Sequence, residues 1–176
     1  MDERVSRERM GTERVVTEQT RRAVAVVAST RAASGVYEDR TGPALRAWFA
    51  GRGWESRVVV VADGDAVGEA IADAIGSGID VVVTTGGTGV APSDVTPEQT
   101  APLLERVLPG LAEAVRARGS GQVPTAVLSR GLAGVSGRTV VVNLPGSPGG
   151  VRDGIDVLDP VIGHLLDQLG GGDHAR

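Results

Sequence analysis

Thr84-Thr85-Gly86-Gly87-Thr88-Gly89 and, after Val90-Ala91-Pro92, Ser93-Asp94-Val95-Thr96 are the residues whose types and spacing point most directly to chemistry. Glycine has no side chain to hold a ligand off, so such a run lets the backbone approach one closely. Its free N–H groups suit an oxyanion such as a phosphate. Asp94 adds one carboxylate beside the loop, a ligand for a hard divalent cation. The pattern is that of a metal-assisted phosphate site.

The elements around the run are legible. The apolar stretch Val81-Val82-Val83 leads into it, and a helix is expected after it, with Thr96 as N-cap, Pro97 at the first helical position and Gln99 placed for a capping box. Ala23–Ala28 reads as a buried strand within 22–30, followed by a polar loop over 31–39. A helix is expected over 41–52, with Leu45, Trp48 and Phe49 at helical spacing and Trp48 and Phe49 as core. A second strand runs over 57–62 and ends in Asp63-Gly64-Asp65, alone a turn sequence. Asp65 is expected to cap a helix with Val67, Ala70, Ile71, Ala74 and Ile75 on one face. The helix after Thr96 is expected to run to about Glu105, and another over 111–118. A short strand or turn is expected near Ala126-Val127-Leu128, and a strand over 138–144, built on Thr139-Val140-Val141-Val142, that ends in Pro145-Gly146-Ser147-Pro148. Pro160 predicts a break or kink near Asp159 in the last helix.

Strands alternating with helices predict an α/β fold: a three-layer α/β/α sandwich with a mainly parallel central sheet. Residues 21–169 read as one domain, 1–20 as a flexible arm and 170–176 as a flexible tail. In such sheets ligands bind beyond the carboxyl ends of the strands. Those ends carry Ser29-Thr30-Arg31, Asp63-Gly64, Thr85-Gly86-Gly87 and Asn143-Leu144-Pro145-Gly146, which are expected to converge on one cleft.

Composition narrows the function. Aromatic residues are 2% of the 176-residue chain, so the core must come from Val, Ala, Leu and Ile, which favours buried parallel strands. The net charge of −4 with no basic stripe gives nucleic-acid binding little support. The absence of cysteine excludes disulfides, thiolate metal sites and a cysteine nucleophile, and suits a cytoplasmic setting. No apolar stretch is long enough to span a bilayer. The loop has no lysine of the P-loop type, and no Gly-x-Gly-x-x-Gly follows the first strand, which argues against an unrelated nucleotide-binding domain.

Taken together, Thr84–Gly89 with Asp94-Val95-Thr96-Pro97-Glu98, the segment Ser29–Tyr37, Leu128-Ser129-Arg130 and Asn143–Pro148 resemble the motifs of the MogA/MoaB family of molybdenum-cofactor biosynthesis proteins, in the same order and over about residues 22–169. The resemblance implies molybdopterin adenylyltransferase activity: ATP and molybdopterin give adenylyl-molybdopterin and pyrophosphate, with Mg2+. It implies Asp63 and Asp94 as catalytic and metal-binding residues. It also implies substrate or phosphate binding by Thr85, Gly86, Gly87, Thr88, Gly89, Ser93 and Thr96, by Ser29, Arg31, Ser34 and Gly35, and by Pro145, Gly146 and Ser147. A cytoplasmic homotrimer that hands its product to a molybdenum-insertion protein is implied too. The first loop departs from the family's common Ser-Asp-Arg, reading Ser29-Thr30-Arg31, so no metal role falls on Thr30.

The implied chemistry agrees with the residues. A phosphate monoester, with its second pKa near 6, is already largely dianionic at neutral pH. It needs no general base, and His164 and His174 lie outside the motifs. What remains is positioning and charge stabilisation: loop N–H groups for phosphate oxygens, two aspartates for Mg2+ and Arg31 for a further anion. The alternative is a non-catalytic molybdopterin carrier or scaffold of the MoaB type, which binds the pterin without chemistry.

Overall fold

In the computed structural model, which describes residues 20–36 and 38–171, a six-stranded sheet is covered by helices on both faces. Most of the expected arm and tail, and Tyr37, lie outside the described residues. The strands are β1 (Arg22–Ala28), β2 (Glu55–Val61), β3 (Val81–Thr85), β4 (Arg106–Val107), β5 (Ala133–Ser136) and β6 (Thr139–Leu144), in the spatial order β2-β1-β3-β6-β5-β4. β2, β1, β3 and β6 are parallel, whereas β5 runs antiparallel to β6 and β4 antiparallel to β5.

Side-chain alternation along the strands divides the core. Ala23, Ala25, Val81, Val83, Val140 and Val142 point to one face, where α2 (Thr41–Gly51), α5 (Pro109–Ser120) and α6 (Pro148–Leu169) contribute Leu45, Phe49, Val115, Leu158 and Ile162. Val24, Val26, Val82 and Val141 point to the other, against Val67, Ile71 and Ala74 of α3 (Asp65–Gly76). The central strands are therefore apolar on both faces over Ala23–Ala28, Val81–Val83 and Val140–Val142, as a doubly covered parallel sheet requires. Phe49 is buried as expected, stacks on Trp54 at a centroid distance of 6.1 Å and packs at a tilt against the half-buried Trp48 at 5.1 Å.

The register brings the functional ends together. Ala28 pairs with Val61, Val27 with Thr85, and Thr85 with Leu144, so all four parallel strands end at one edge.

Several elements differ from expectation. α4 spans only Thr96–Thr100 and passes into a 3₁₀ turn at Ala101–Leu103, because Pro102 cannot continue it. Thr96 is not its cap: the cap position is Val95, and the Gln99 side chain donates to Asp65 Oδ1 at 3.0 Å instead of turning back on its own helix. Asp65 likewise sits in the first turn of α3 with Gly64 at the cap position. The polar loop after β1 contains a helical turn, α1 (Thr30–Ala33), capped by Ser29. Pro124–Leu128 is a 3₁₀ helix, and the short antiparallel strands β4 and β5 had no sequence reading. Pro160 does not break α6, which is continuous from Pro148 to Leu169. An interior proline costs about 3 kcal/mol of helix stability. Leu158 and Ile162, both fully buried, offset it, and Trp48 Nε1 and Arg52 Nη1 hold Asp159 Oδ1 at 2.7 and 2.6 Å. These bonds keep the Asp159 carboxyl below its ordinary range, the Trp48 hydrogen bond first and Arg52 after it. No described helix is long and apolar enough to cross a membrane.

Candidate functional site

The glycine loop leaves β3 in a conformation only glycine takes readily. Gly86 and Gly87 have φ of 98° and 63°. A Cβ on Gly86 would collide with the carbonyl oxygen of Ala28, one on Gly87 with Thr96 Oγ1, and one on Gly89 would lie 2.5 Å from Asp94 Oδ2. The loop thus packs against the end of β1 at its root and against both flanking segments at its tip.

Its hydrogen bonds fall into two sets. The Gly86 N–H donates to the Leu144 carbonyl at 3.2 Å, which removes it from the expected oxyanion donors. The carbonyls of Gly87, Thr88 and Gly89 accept from Thr96 N, Arg130 N and Arg130 Nε at 3.0, 2.8 and 2.7 Å. Among the described residues, the N–H groups of Gly87, Thr88 and Gly89 donate to nothing. With every carbonyl tied back, three successive amides are left for a ligand.

Arg130 organises this side. Its side chain also bonds the Asp94 carbonyl and pairs with Glu98, whose carboxyl it holds below the ordinary range chiefly through that hydrogen bond. Thr96 contributes its backbone; its hydroxyl is buried against Gly87 without a partner.

A cleft of about 770 Å3 opens at this edge, lined by Gly87–Gly89, Asp94, Pro145–Ser147 and the first turn of α6, with Val115, Val123, Ala126 and Leu128 as an apolar wall. Ser147 caps α6 by accepting from Gly150 N at 3.0 Å. The positive end of that helix dipole therefore borders the cleft. Thr85 Oγ1 donates to the Pro145 carbonyl at 2.9 Å and joins the two loops.

The two aspartates flank the same loop. Asp94 lines the cleft beside Gly89, and its Oδ2 accepts from Ala91 N at 3.1 Å. Asp63 lies outside the cleft lining but beside Gly87, with Oδ1 3.4 Å from where a Cβ would stand. Its Oδ2 accepts from Thr30 N and Thr30 Oγ1 at 3.0 and 2.8 Å. Each carboxylate thus commits one oxygen to the protein and leaves Oδ1 without a hydrogen bond among the described residues. No group of three or more His, Cys, Asp or Glu side chains gathers there or elsewhere among them. An open carboxylate oxygen is the hard donor that Mg2+ takes alongside waters and phosphates.

The remaining sequence-predicted residues divide. Ser29 caps α1 through Ala32 N at 3.2 Å, Ser34 Oγ donates to the Arg31 carbonyl at 3.2 Å, and Gly35 takes φ of 73° in the turn that follows. With Arg31 they form a separate loop at the same sheet edge and do not line the cleft. Ser93 is exposed and also outside the lining. Sequence reasoning gave no role to Arg130 or to the wall from α5 and the 3₁₀ helix. The motif Leu128-Ser129-Arg130 was the available signal.

The chain is similar to known proteins over most of its length. The family model described as "Probable molybdopterin binding domain" matches residues 23–164. A molybdopterin adenylyltransferase of Helicobacter pylori is 37% identical over 149 residues, 82% of this chain and 85% of the relative. The molybdopterin adenylyltransferase of Escherichia coli is 33% identical over 143 residues, 78% and 73% of the two chains. Among solved structures, the molybdopterin biosynthesis Mog protein from Mycobacterium ulcerans is 56% identical with a TM-score of 0.83, covering 85% of this chain and 99% of that one.

Proposed function

The chain belongs to the MogA/MoaB family of molybdenum-cofactor biosynthesis proteins, and from that membership and the cleft we propose that it is a molybdopterin adenylyltransferase that uses ATP and Mg2+. The observation that carries the reading is the row of three unpartnered amides, Gly87 to Gly89, set between Asp63 and Asp94.

In the reaction a phosphate oxygen of molybdopterin attacks the α-phosphorus of ATP. A new P–O bond forms, the α–β bond breaks, and pyrophosphate leaves. The Gly87, Thr88 and Gly89 amides take phosphate oxygens, and their fixed carbonyls mean that little reorganisation is needed as charge develops. The N-terminus of α6 adds positive potential at the other wall. Asp63 and Asp94 would hold Mg2+, and the ion would offset phosphate charge on substrates and leaving group. Left uncompensated, the same carboxylates would repel both anionic substrates, which weighs against a carrier that binds without chemistry. The apolar wall suits a flat heterocycle and excludes water from one side. Assembly as a homotrimer and transfer of product to a molybdenum-insertion protein complete the reading.

The test is purified protein with molybdopterin, ATP and Mg2+. Adenylyl-molybdopterin and pyrophosphate are expected, each requiring both substrates. Tight pterin binding with no pyrophosphate release would overturn the enzyme in favour of the carrier.

A further inference from the structure

Arg116 stands on α5 at the cleft wall, half-buried. Its Nη1 donates to the carbonyls of Gly131 and Ser129 at 3.0 and 3.4 Å. A guanidinium carries five N–H donors, so those on Nη2 and Nε remain, and none donates to a described residue. No carboxylate pairs with Arg116 among the described residues, where Arg21, Arg52, Arg118 and Arg130 all have acidic partners. Asp153, the other acid on the cleft wall besides Asp94, lies 3.8 Å from Arg118. A half-buried charge without a counter-charge is unfavourable until an anion completes it.

The anchor says which anion. Ser129 and Gly131 flank Arg130, whose N–H holds the Thr88 carbonyl and whose Nε holds that of Gly89. Arg116 and the oxyanion loop therefore grip one short segment from two sides. Arg152, the other cationic residue of the lining, is exposed and has no such anchor.

We infer that Arg116 is a substrate-binding residue that takes the phosphate oxyanion held by the Gly87–Gly89 amides; this rests on the phosphate-transfer reading above. Arginine rather than lysine suits the place, because one edge of the planar fork can hold protein carbonyls while another meets two phosphate oxygens. The oxyanion comes from the ATP polyphosphate or from the molybdopterin monoester, and separate binding measurements distinguish them.

The experiment measures Kd for ATP and for molybdopterin with the full chain, with Arg116→Gln and with Arg116→Lys, at two ionic strengths. Loss of charge-assisted hydrogen bonds predicts that one Kd rises about tenfold to hundredfold in Arg116→Gln while the other stays within about twofold. The salt dependence of the affected Kd should flatten, as removal of an ionic contact requires. Both constants unchanged, or both raised equally with a lowered melting temperature and unaltered salt dependence, would overturn the assignment. If Arg116→Gln does not fold, Arg116→Lys decides: a rise of at least about threefold in one Kd supports the contact, and parent-like constants for both ligands overturn it. Weakened ATP binding in a protein that makes no adenylated product would keep Arg116 as an anion contact and sink the enzymatic reading. Product formation with unaltered Kd values would do the reverse.

Discussion

Asn143 Nδ2 donates to Thr84 Oγ1 at 3.0 Å, across a register pair of β6 and β3 just before both strands open into the cleft. The same amide donates to Thr100 Oγ1 at 3.0 Å, and Asn143 Oδ1 accepts from Leu132 N at 3.0 Å. Four segments therefore meet on one buried side chain, 4% exposed. Asn143→Ala would leave the Leu132 N–H without its acceptor in the interior. The expected destabilisation is about 2–4 kcal/mol, read as a lower midpoint in urea with an unchanged m-value. A midpoint equal to the parent's would show that the network is dispensable.

Thr30 supplies the Asp63 carboxylate with two donors and accepts from Asp63 N at 3.2 Å in return. The hydroxyl is thus a support for one of the two carboxylates expected to hold Mg2+. Thr30→Val keeps shape and backbone and removes the hydroxyl. The Mg2+ concentration for half-maximal activity should rise about threefold to tenfold, with thermal stability nearly unchanged because Thr30 is exposed. An identical Mg2+ titration would detach Thr30 from the site.

The central strands and the glycine loop were legible because apolar runs such as Val81-Val82-Val83 and a dense glycine motif carry local signals. β5 was not: Ala133-Gly134-Val135-Ser136 is short and includes a glycine on which a Cβ would lie 2.5 Å from the Arg106 carbonyl. Its pairing is set by the turn at Gly137, φ 55°, and by β6. Thr96 and Pro160 show tertiary context overriding a local rule. Parallel topology put Asp63-Gly64 at the sheet edge that carries the glycine loop, and the family resemblance singled out Asp63 with Asp94; Asp63 lies beside Gly87 and Asp94 beside Gly89. Arg116 had no local signal, because an arginine in an amphipathic helix looks the same whether it meets water or a ligand.

Gly86→Ala tests the root of the loop. The residue is buried, its φ is 98°, and the new methyl would meet the Ala28 carbonyl oxygen, which belongs to a rigid central strand. Backbone strain and steric overlap together predict a loss of about 2–4 kcal/mol and of phosphate binding, read by urea denaturation and ATP titration. Gly51→Ala, in a helix where nothing lies within 4 Å of the added carbon, is the control and should be near neutral.

Asp94→Asn retains the side chain's volume but removes its charge beside Gly89. Turnover should fall at least tenfold, about 1.4 kcal/mol of transition-state stabilisation. ATP binding without Mg2+ should hold or improve, because a repulsive charge has gone. Steady-state kinetics paired with metal-free calorimetry separates these effects, and parent-like turnover would remove Asp94 from the mechanism.

Glu98 gives the site a pH dependence. Its hydrogen bond from Arg130 lowers its carboxyl pKa in the folded state, so the unfolded chain binds the proton more readily. The stabilisation is then fully present above the ordinary carboxylate pKa of about 4.3 and is lost as pH falls through the lower folded value. Glu98→Gln should therefore be less stable than the parent at neutral pH, with the gap closing in acid. Because the pair is exposed, added salt should narrow the gap at neutral pH as well. Melting curves from neutral pH into acid at two salt concentrations provide the check. A gap that persists below the carboxylate range would mean that Glu98 acts through packing and that Arg130 holds the loop carbonyls without its help.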